Sequence, residues 1–388
     1  MEATAKWLER LHQAKPEALR EYLLTALTPG FNGLDLSDCL IATEPKGVLR
    51  SRPGDTAPVS MALLRYVDVA QDSIKLQHEE ELADELAAIL GLAAERRITL
   101  PHTLALRVEG SQTVTFLAYG SAVDRRLHGP FPSNLEGAVH EILGRVEGLP
   151  TNVRPVLGAA ARLHHSAVEL FESDLRAAYL LLVVGIEVLS REFGSPPTAW
   201  TDWEGSSVWE ETFASAGLSE EQRDVIRSRL MKDRQLRLKA TFQEYASTRI
   251  PDSFWEEPWE SWMYPYNPTK CKWEAPHLIE TRVMRDILPR DRSLLSCMLG
   301  NAYDSRSGLV HQGALLTLVD NSIPQAATTD SKRPLPFPVL RSILRCLIRT
   351  ELETHGRSVP LPPIRLLRSA ADNAQQDHAP DRPPAGGR

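Results

Sequence analysis

The sequence predicts an α+β protein, in which a mixed α/β region precedes an all-α helical bundle that carries a long insert. Its 388 residues exceed one typical hydrophobic core, which indicates more than one domain. In the first 150 residues β-type runs alternate with helical patterns, whereas 157–193 and 294–313 keep the apolar period of packed helices. The predicted domains are an N-terminal region 1–150, a helical domain 151–360 with an insert at about 194–290, and a disordered tail 361–388.

Composition is that of a globular protein and restricts the classes of partner. The hydrophobic fraction of 42% and the charged fraction of 24% are ordinary. A net charge of −7 provides no global basic field, so any contact with RNA must be a local patch. The four cysteines form no close pair, which argues against a zinc site or a disulfide framework. The first residues are too polar for a signal peptide, and we expect a cytoplasmic protein without membrane contact, metal or cofactor.

The N-terminal region is predicted to mix short strands with helices. Its clearest helix is Asp72–Glu95, which carries Leu82, Leu86, Ile89 and Leu90 on one face. The other predicted elements are a helix at Lys15–Leu27, strands at Leu36–Thr43, Val48–Ser51 and Met61–Val69, a hairpin of Ile98–Val108 and Thr113–Tyr119, and a helix at Ser133–Leu149. No glycine-rich phosphate loop or nucleophile elbow occurs here, so a sensing, docking or regulatory role is assigned by elimination.

Two consecutive helical patterns at Leu157–Phe193 begin the bundle. The run Tyr179–Ile186 is apolar all round, which is typical of a helix at the centre of a bundle. Glu187 follows it directly, and a buried carboxylate is costly unless it has a partner. We expect that partner to be Arg306. The pair would either orient the arginine structurally or take part directly in catalysis.

The predicted insert combines tryptophans with the most basic segment of the chain. It holds seven of the eight tryptophans, and Ser219–Ser247 opens with a capping box of Ser219 and Gln222. Basic side chains near aromatic rings suit single-stranded RNA through phosphate contacts and base stacking. The alternative, which we favour, is a solvated helix with tryptophans that anchor a loop-rich insert to the bundle. The candidate RNA-binding residues of this segment are Arg227, Arg234 and Arg237.

A last bundle helix is predicted at Phe337–Leu352. Its apolar positions are Leu340, Ile343, Leu344, Leu347 and Ile348. On another face, Arg341, Arg345 and Arg349 recur every four residues. Such a basic stripe is a second candidate track for RNA, with Arg341 and Arg345 as its proposed contacts.

The stretch Leu294–Gly313 carries the most specific chemistry in the chain. An amphipathic helix runs into Arg306, and His311 follows five positions later. Arginine supplies a permanent cation with a fixed donor fork, and histidine can move a proton near neutral pH. Five positions correspond to a rotation of about 140° on a helix, so one continuous helix would not present both side chains on one face. Either the helix bends near Gly308, or a second copy of the chain completes the cleft.

The sequence from Tyr303 to Gly313 resembles the Arg-x-x-x-x-His signature of HEPN domains, most closely that of the ApeA-like branch. The helix at 175–189, with Glu187 near its end, resembles the earlier core helix of that family. The resemblance implies an all-α bundle, and catalysis by Arg306 and His311 supported by Glu187, Tyr303, Asp304 and Ser307. Many HEPN proteins are metal-independent endoribonucleases that act as dimers, and others are inactive binding modules. Active members often carry Asn, Asp or His where this chain has Ser307.

Two functions follow from this resemblance, and a third remains open. The first is an endoribonuclease that cleaves RNA through attack of a ribose 2′-hydroxyl, as a homodimer in anti-phage defence or in a toxin-like role, with a regulatory or defence-system partner protein. The second is a catalytically inactive HEPN module that binds RNA, a nucleotide or a protein partner. The third is a dimeric scaffold without affinity for nucleic acid.

Overall fold

Helices make up most of the residues that the structure describes, and a small antiparallel sheet lies in the N-terminal part. The computed structural model describes residues 1–13, 18–26, 41–49, 59–68, 76–100, 130–171, 174–196, 198–203, 205–233, 237–263, 265–267, 270, 272–312 and 334–361. The predicted tail and most of the predicted hairpin at 98–119 lie outside these residues. At the level of fold class, the α+β prediction is confirmed. Within the described residues, no helix has the combination of length and apolar character needed to cross a membrane.

The elements follow one another along the chain as listed here. They are α1 (Glu2–Gln13), β1 (Ala18–Ala26), β2 (Ile41–Leu49), β3 (Val59–Asp68), α2 (Leu76–Ala94), β4 (Ile98–Thr99), α3 (Leu135–Glu147), α4 (Arg154–Leu170), α5 (Leu175–Phe193), a 3₁₀ helix (Trp200–Asp202), α6 (Ser206–Ser215), α7 (Glu220–Leu230), α8 (Leu238–Arg249), a second 3₁₀ helix (Asp252–Glu256), β5 (Pro258–Met263), β6 (Tyr266–Asn267), β7 (Lys272–Trp273), β8 (His277–Val283), α9 (Met284–Ile287), α10 (Arg292–Gln312) and α11 (Phe337–His355).

The N-terminal sheet corrects two sequence predictions. Its strand order is β2-β3-β1-β4, and neighbouring strands are antiparallel. The predicted helix at Lys15–Leu27 is wrong, because residues 18–26 form β1 and pair with β3 along their whole length. Tyr22 on β1 stacks on Tyr66 of β3, which is a cross-strand contact that a helical period cannot reveal. Of the predicted strands Leu36–Thr43 and Val48–Ser51, the described residues 41–43 and 48–49 belong to one strand, β2, whose pairing with β3 shifts between Pro45 and Gly47.

A single continuous core joins the N-terminal elements to the helical bundle. Trp7 of α1 is fully buried, and its indole Nε1 donates to the carbonyl of Val67 at 2.8 Å. Thr4 donates from its backbone and its hydroxyl to Glu85 of α2. Buried apolar side chains of α1 to α3 belong to the same cluster as those of α4, α5, α8, α10 and α11. The domain boundary at residue 150 stays a prediction.

Helix α5 lies in the middle of the bundle, as its all-round apolar run predicts. It packs against α4, α8, α10 and α11. Asp174 caps its first turn by accepting hydrogen bonds from the backbone of Arg176 and Ala177, and Asp291 caps α10 in the same way. Helix α8 lies within the range predicted as the insert, yet Phe242 and Ala246 on it are fully buried against the bundle. This part of the range therefore contributes to the bundle core.

Helix α11 confirms its predicted core and corrects the predicted basic stripe. The five predicted apolar positions are all fully buried. Arg341 and Arg345, which were predicted to face RNA, are only 1% and 2% exposed. Arg345 donates to Glu95 at 2.5 Å and to Glu257 at 2.6 Å. The prediction that these two arginines contact RNA at the surface is wrong, because both side chains are buried. For Arg345, carboxylates from two distant parts of the chain allow the charge to lie inside the protein.

Stability is expected to fall as the pH drops below about 6.5, because of His164 on α4. Burial lowers the pKa of this imidazole well below its ordinary value, and the charges of Arg341, Arg345 and His165 lower it further. Glu95, the carboxylate that directly follows α2, is already paired with Arg345. At low pH the unfolded chain therefore takes up a proton at His164, whereas the folded chain keeps this side chain neutral. As a result, the free energy of unfolding falls by up to about 1.4 kcal/mol per pH unit.

The measurement for this prediction is the free energy of unfolding of the wild type and of His164→Leu between about pH 5 and 7. The variant should show a flatter dependence on pH, since it removes the group whose protonation differs between the two states. Parallel profiles for the two proteins would contradict the prediction.

Candidate active site

A buried carboxylate lies at the centre of the candidate site, where α5 meets α10. The side chain of Glu187 is 5% exposed and contacts two arginines. Arg191, one turn further along α5, donates from Nη2 to Oε1 at 2.5 Å. Arg306 of α10 places its Nη2 3.4 Å from Oε2. The predicted pairing of Glu187 with Arg306 is confirmed, and Arg191 is a third member that the sequence prediction missed.

The position of Arg306 depends on an ion pair with Glu187 rather than on hydrogen bonds. Its distance from Glu187 is that of an ion pair, and Glu187 Oε2 makes no hydrogen bond to any described residue. The Nε of Arg306 is buried and likewise meets no acceptor among them. The side chain remains 22% exposed. A guanidinium with five donors therefore reaches the surface with most of its hydrogen-bonding capacity unused by the described part of the chain.

Of the residues predicted to support Arg306, Tyr303 lies beside its guanidinium, whereas Asp304 is paired with α8. The guanidinium carbon of Arg306 lies 5.9 Å from the centroid of the Tyr303 ring, within range of a cation–π contact. Burial raises the pKa of Tyr303, the Glu187 charge adds to this effect, and Arg306 opposes it, so the phenol remains protonated. Asp304 is exposed and pairs with Lys239 of α8 at 2.9 Å. Ser307 is partly buried one position after the arginine.

Helix α10 runs without interruption from Arg292 to Gln312 and includes Gly308. The helix is therefore not broken at Gly308, and at about 3.6 residues per turn position 311 lies about 140° around the axis from position 306. The His311 side chain lies outside the described residues, so its contacts stay a prediction. Within one chain, this helix geometry favours the alternative in which a second copy completes the cleft.

The electrostatics of the cluster favour an anion. Two guanidiniums, Arg191 and Arg306, share the single charge of Glu187, which leaves one positive charge near the surface. Arg191 is 51% exposed and thus accessible to a ligand. A phosphate group is the ligand that arginine forks recognise best. The described part of the chain contains no group of three or more His, Cys, Asp or Glu residues arranged to hold a metal ion.

In the basic segment of the insert, one candidate RNA-binding arginine is surrounded by carboxylates. The segment forms α7 and α8, and the predicted capping box of Ser219 and Gln222 at the start of α7 is confirmed. Arg227 contacts the carboxylates of Glu210, Glu220 and Asp224. Hydrogen bonds from Arg227 lower the pKa of Glu210.

These contacts weaken the case for RNA binding by the segment. Arg227 would have to exchange carboxylate partners for phosphates. Arg237 is 6% exposed, so its interpretation as a surface contact for RNA is wrong. Arg234 lies outside the described residues. Three tryptophans of the predicted insert are buried, namely Trp203, Trp255 and Trp259. This agrees with the alternative in which tryptophans anchor the insert to the bundle.

A second polar cluster, not found from the sequence, lies where the C-terminal ends of α5, α8 and α11 come together. Glu351 is fully buried and accepts hydrogen bonds from Tyr245 Oη at 2.9 Å and Arg249 Nε at 2.7 Å. His355 places Nε2 3.2 Å from the same carboxylate and stacks on Phe193. An open groove with about 810 Å³ of empty space borders the cluster. No sequence signal marks it, because its members come from three separate helices.

No protein-family model, curated protein or solved structure matches the chain. The resemblance to HEPN domains therefore depends on the residues of its motif, and the function has to be argued from the geometry of the site. The relevant geometry is the buried Glu187 that holds two arginines at a partly exposed helix crossing.

Proposed function

We propose that the protein is a cytoplasmic, metal-independent endoribonuclease of the HEPN type. The single observation that supports this most is Arg306. It is anchored across the α5–α10 contact by the buried Glu187, yet it keeps donors that no described residue uses. An arginine held in this way is suited to a phosphodiester, whose negative charge increases as the reaction proceeds.

In the proposed reaction a ribose 2′-oxygen attacks the adjacent phosphorus. The bond from phosphorus to the 5′-oxygen breaks, which leaves a 2′,3′-cyclic phosphate on one fragment and a 5′-hydroxyl on the other. His311 takes the proton from the attacking 2′-hydroxyl or gives one to the leaving 5′-oxygen. Arg306 neutralises the non-bridging phosphate oxygens, and Glu187 keeps the guanidinium in place. Arg191 adds a second cation within the same cluster.

The proposal includes a homodimer with a composite cleft. Helix α10 is continuous, so positions 306 and 311 of one chain lie about 140° apart around its axis. A two-fold axis near the end of α10 would bring Arg306 of one protomer towards His311 of its partner. A role in anti-phage defence or as a toxin, controlled by a regulatory partner, is proposed from the family resemblance alone.

Cleavage products provide the direct test. Purified full chain should cut single-stranded RNA in the presence of EDTA, since no step requires a metal. The products should carry 2′,3′-cyclic phosphate and 5′-hydroxyl ends, which end-specific labelling and mass spectrometry identify. A matched RNA with 2′-O-methyl groups should resist cleavage, because it lacks the nucleophile. Cutting that needs Mg²⁺ or that leaves 5′-phosphate ends would contradict the proposal.

A catalytically inactive HEPN module is the second candidate, and one contact favours it. Glu187 already offsets part of the charge of Arg306 and Arg191, as in a purely structural ion network. Such a module would bind RNA, a nucleotide or a protein partner without cutting RNA. Absence of cleavage of any RNA, together with binding that is unchanged in Arg306→Ala and His311→Ala, would select this candidate over the nuclease.

A further inference from the structure

A narrow crevice separates α2, α4 and the start of α11, away from the Glu187 cluster. Its enclosed part has a volume of only about 10 Å³, room for a single oxygen-sized group, and the rest of the crevice is open to solvent on one side. Gly91 of α2, His164 and His165 of α4, and Arg341 of α11 contribute to its walls. A methyl group at Gly91 would lie 3.4 Å from the carbonyl oxygen of Arg96 and 3.8 Å from Nδ1 of His165, which are ordinary contact distances.

His164 provides the observation that indicates a ligand. It lines the crevice although only 4% of its surface is exposed. Its Nε2 is buried and meets no hydrogen-bond partner among the described residues. Buried polar atoms are nearly always satisfied, and an orphaned one marks a place where a water or another bound group supplies the partner. Leaving this nitrogen without a partner would carry a desolvation cost.

The surrounding charges determine which partner fits. Arg341 and Arg345 are both buried on α11, and their charges act on His164 and lower its pKa. The imidazole is therefore neutral, and in the tautomer with hydrogen on Nε2 it can donate but brings no charge. Glu95 also lines the crevice, but its carboxylate is already paired with Arg345. An oxygen atom of an anion would accept from Nε2 and gain from the nearby guanidiniums.

We propose that this crevice is a binding site for a phosphoryl group, which enters from the open side and reaches His164 with one oxygen. The site is assembled from both parts of the chain, since α2 belongs to the predicted N-terminal region and α4 and α11 to the bundle. Occupancy would link these parts more tightly, as expected of an effector site. The inference does not depend on the nuclease proposal. Free phosphate and a phosphate monoester share this chemistry, and the experiment separates them.

The test is a titration of the full chain with inorganic phosphate and, separately, with AMP, at an ionic strength held constant with NaCl. The unfolding temperature of the wild type should rise along a saturable curve. His164→Leu should fold and should weaken binding by about tenfold or more, since hydrogen bonds to charged groups are strong. His140→Leu, a change at an exposed histidine of α3, should bind as the wild type does. If AMP binds more tightly than phosphate, the ligand is a monoester, and adenosine should then have no effect.

A second measurement does not depend on any variant. In the wild type with isotope-labelled histidine, the imidazole signals of His164 should move during the phosphate titration and follow the same saturation curve. Equal, non-saturable increases in the unfolding temperature of the wild type and His164→Leu would overturn the proposal. So would a His164 signal that does not move, which would leave water as the occupant of the crevice.

Discussion

RNA cleavage is expected to fall by about 10²–10⁴-fold when His311 is replaced by alanine, because a positioned histidine contributes that much to proton transfer. Arg306→Ala should lower the rate by about 10²–10³-fold, which is the usual effect of removing a group that stabilises a developing oxyanion. Arg306→Lys should recover little of this loss. Lysine keeps the charge, but it lacks the planar fork that can contact Glu187 and a phosphate at once.

Controls for these rates are available on the same molecule. His140→Ala removes an exposed histidine of α3 and should leave the rate unchanged. Initial rates on one labelled RNA, measured at equal protein concentration and with dimerisation checked by sedimentation, give the comparison. If the protein works through a composite cleft, mixing Arg306→Ala with His311→Ala should restore part of the activity. Cleavage that persists at the wild-type rate in His311→Ala would rule out the proposed mechanism.

The free energy of unfolding should fall by about 3 kcal/mol in Glu351→Leu, which is the largest loss of stability that we expect from a single polar change. Glu351 is fully buried and accepts from Tyr245 and from both Nε and Nη2 of Arg249. Burial raises the pKa of Tyr245, and the Glu351 charge adds to the effect, so the phenol stays a donor. Leucine would leave that hydroxyl buried and unpaired. The side chain of Arg249 is 36% exposed, so water can hydrate its charge after the substitution. The loss of stability is therefore expected at the lower end of the usual range.

Urea unfolding of matched variants measures this loss. Glu353→Leu changes an exposed glutamate two positions further along α11 and should alter the free energy of unfolding by less than about 0.5 kcal/mol. Tyr245→Phe removes one donor and should cost about 1 kcal/mol. A loss below 1 kcal/mol in Glu351→Leu, which is smaller than the effect of the lost hydrogen bonds, would show that water replaces the carboxylate.

The helices of the bundle could be predicted from the sequence with some precision. The period of apolar residues identifies the buried face of α11, and the all-round apolar run indicates that α5 lies in the middle of the bundle. Both signals are local to one helix. The capping box at Ser219 is equally local and is present in the structure. The helix predicted at Lys15–Leu27 failed because Ala18–Ala26 pairs with β3, some forty residues away in the chain.

The candidate site was predicted in part. The sequence indicated that Glu187 needs a cationic partner, and the structure brings Arg306 to it. Arg191 could have been found, since it lies four positions after Glu187 on the same helix. The contacts of His311 remain a prediction, as does the arrangement of two protomers.

By itself, the sequence determined the α+β class, the helices of the bundle and the pair of residues on which the proposed chemistry depends. Only the tertiary structure decided which charged residues are inside. Arg345 looks like a surface residue in the helical period, yet it is buried because Glu95, 250 positions away, and Glu257 converge on it. Apolar burial follows from a local pattern, whereas a charge can be buried only where distant groups meet it, and their meeting is a property of the folded chain.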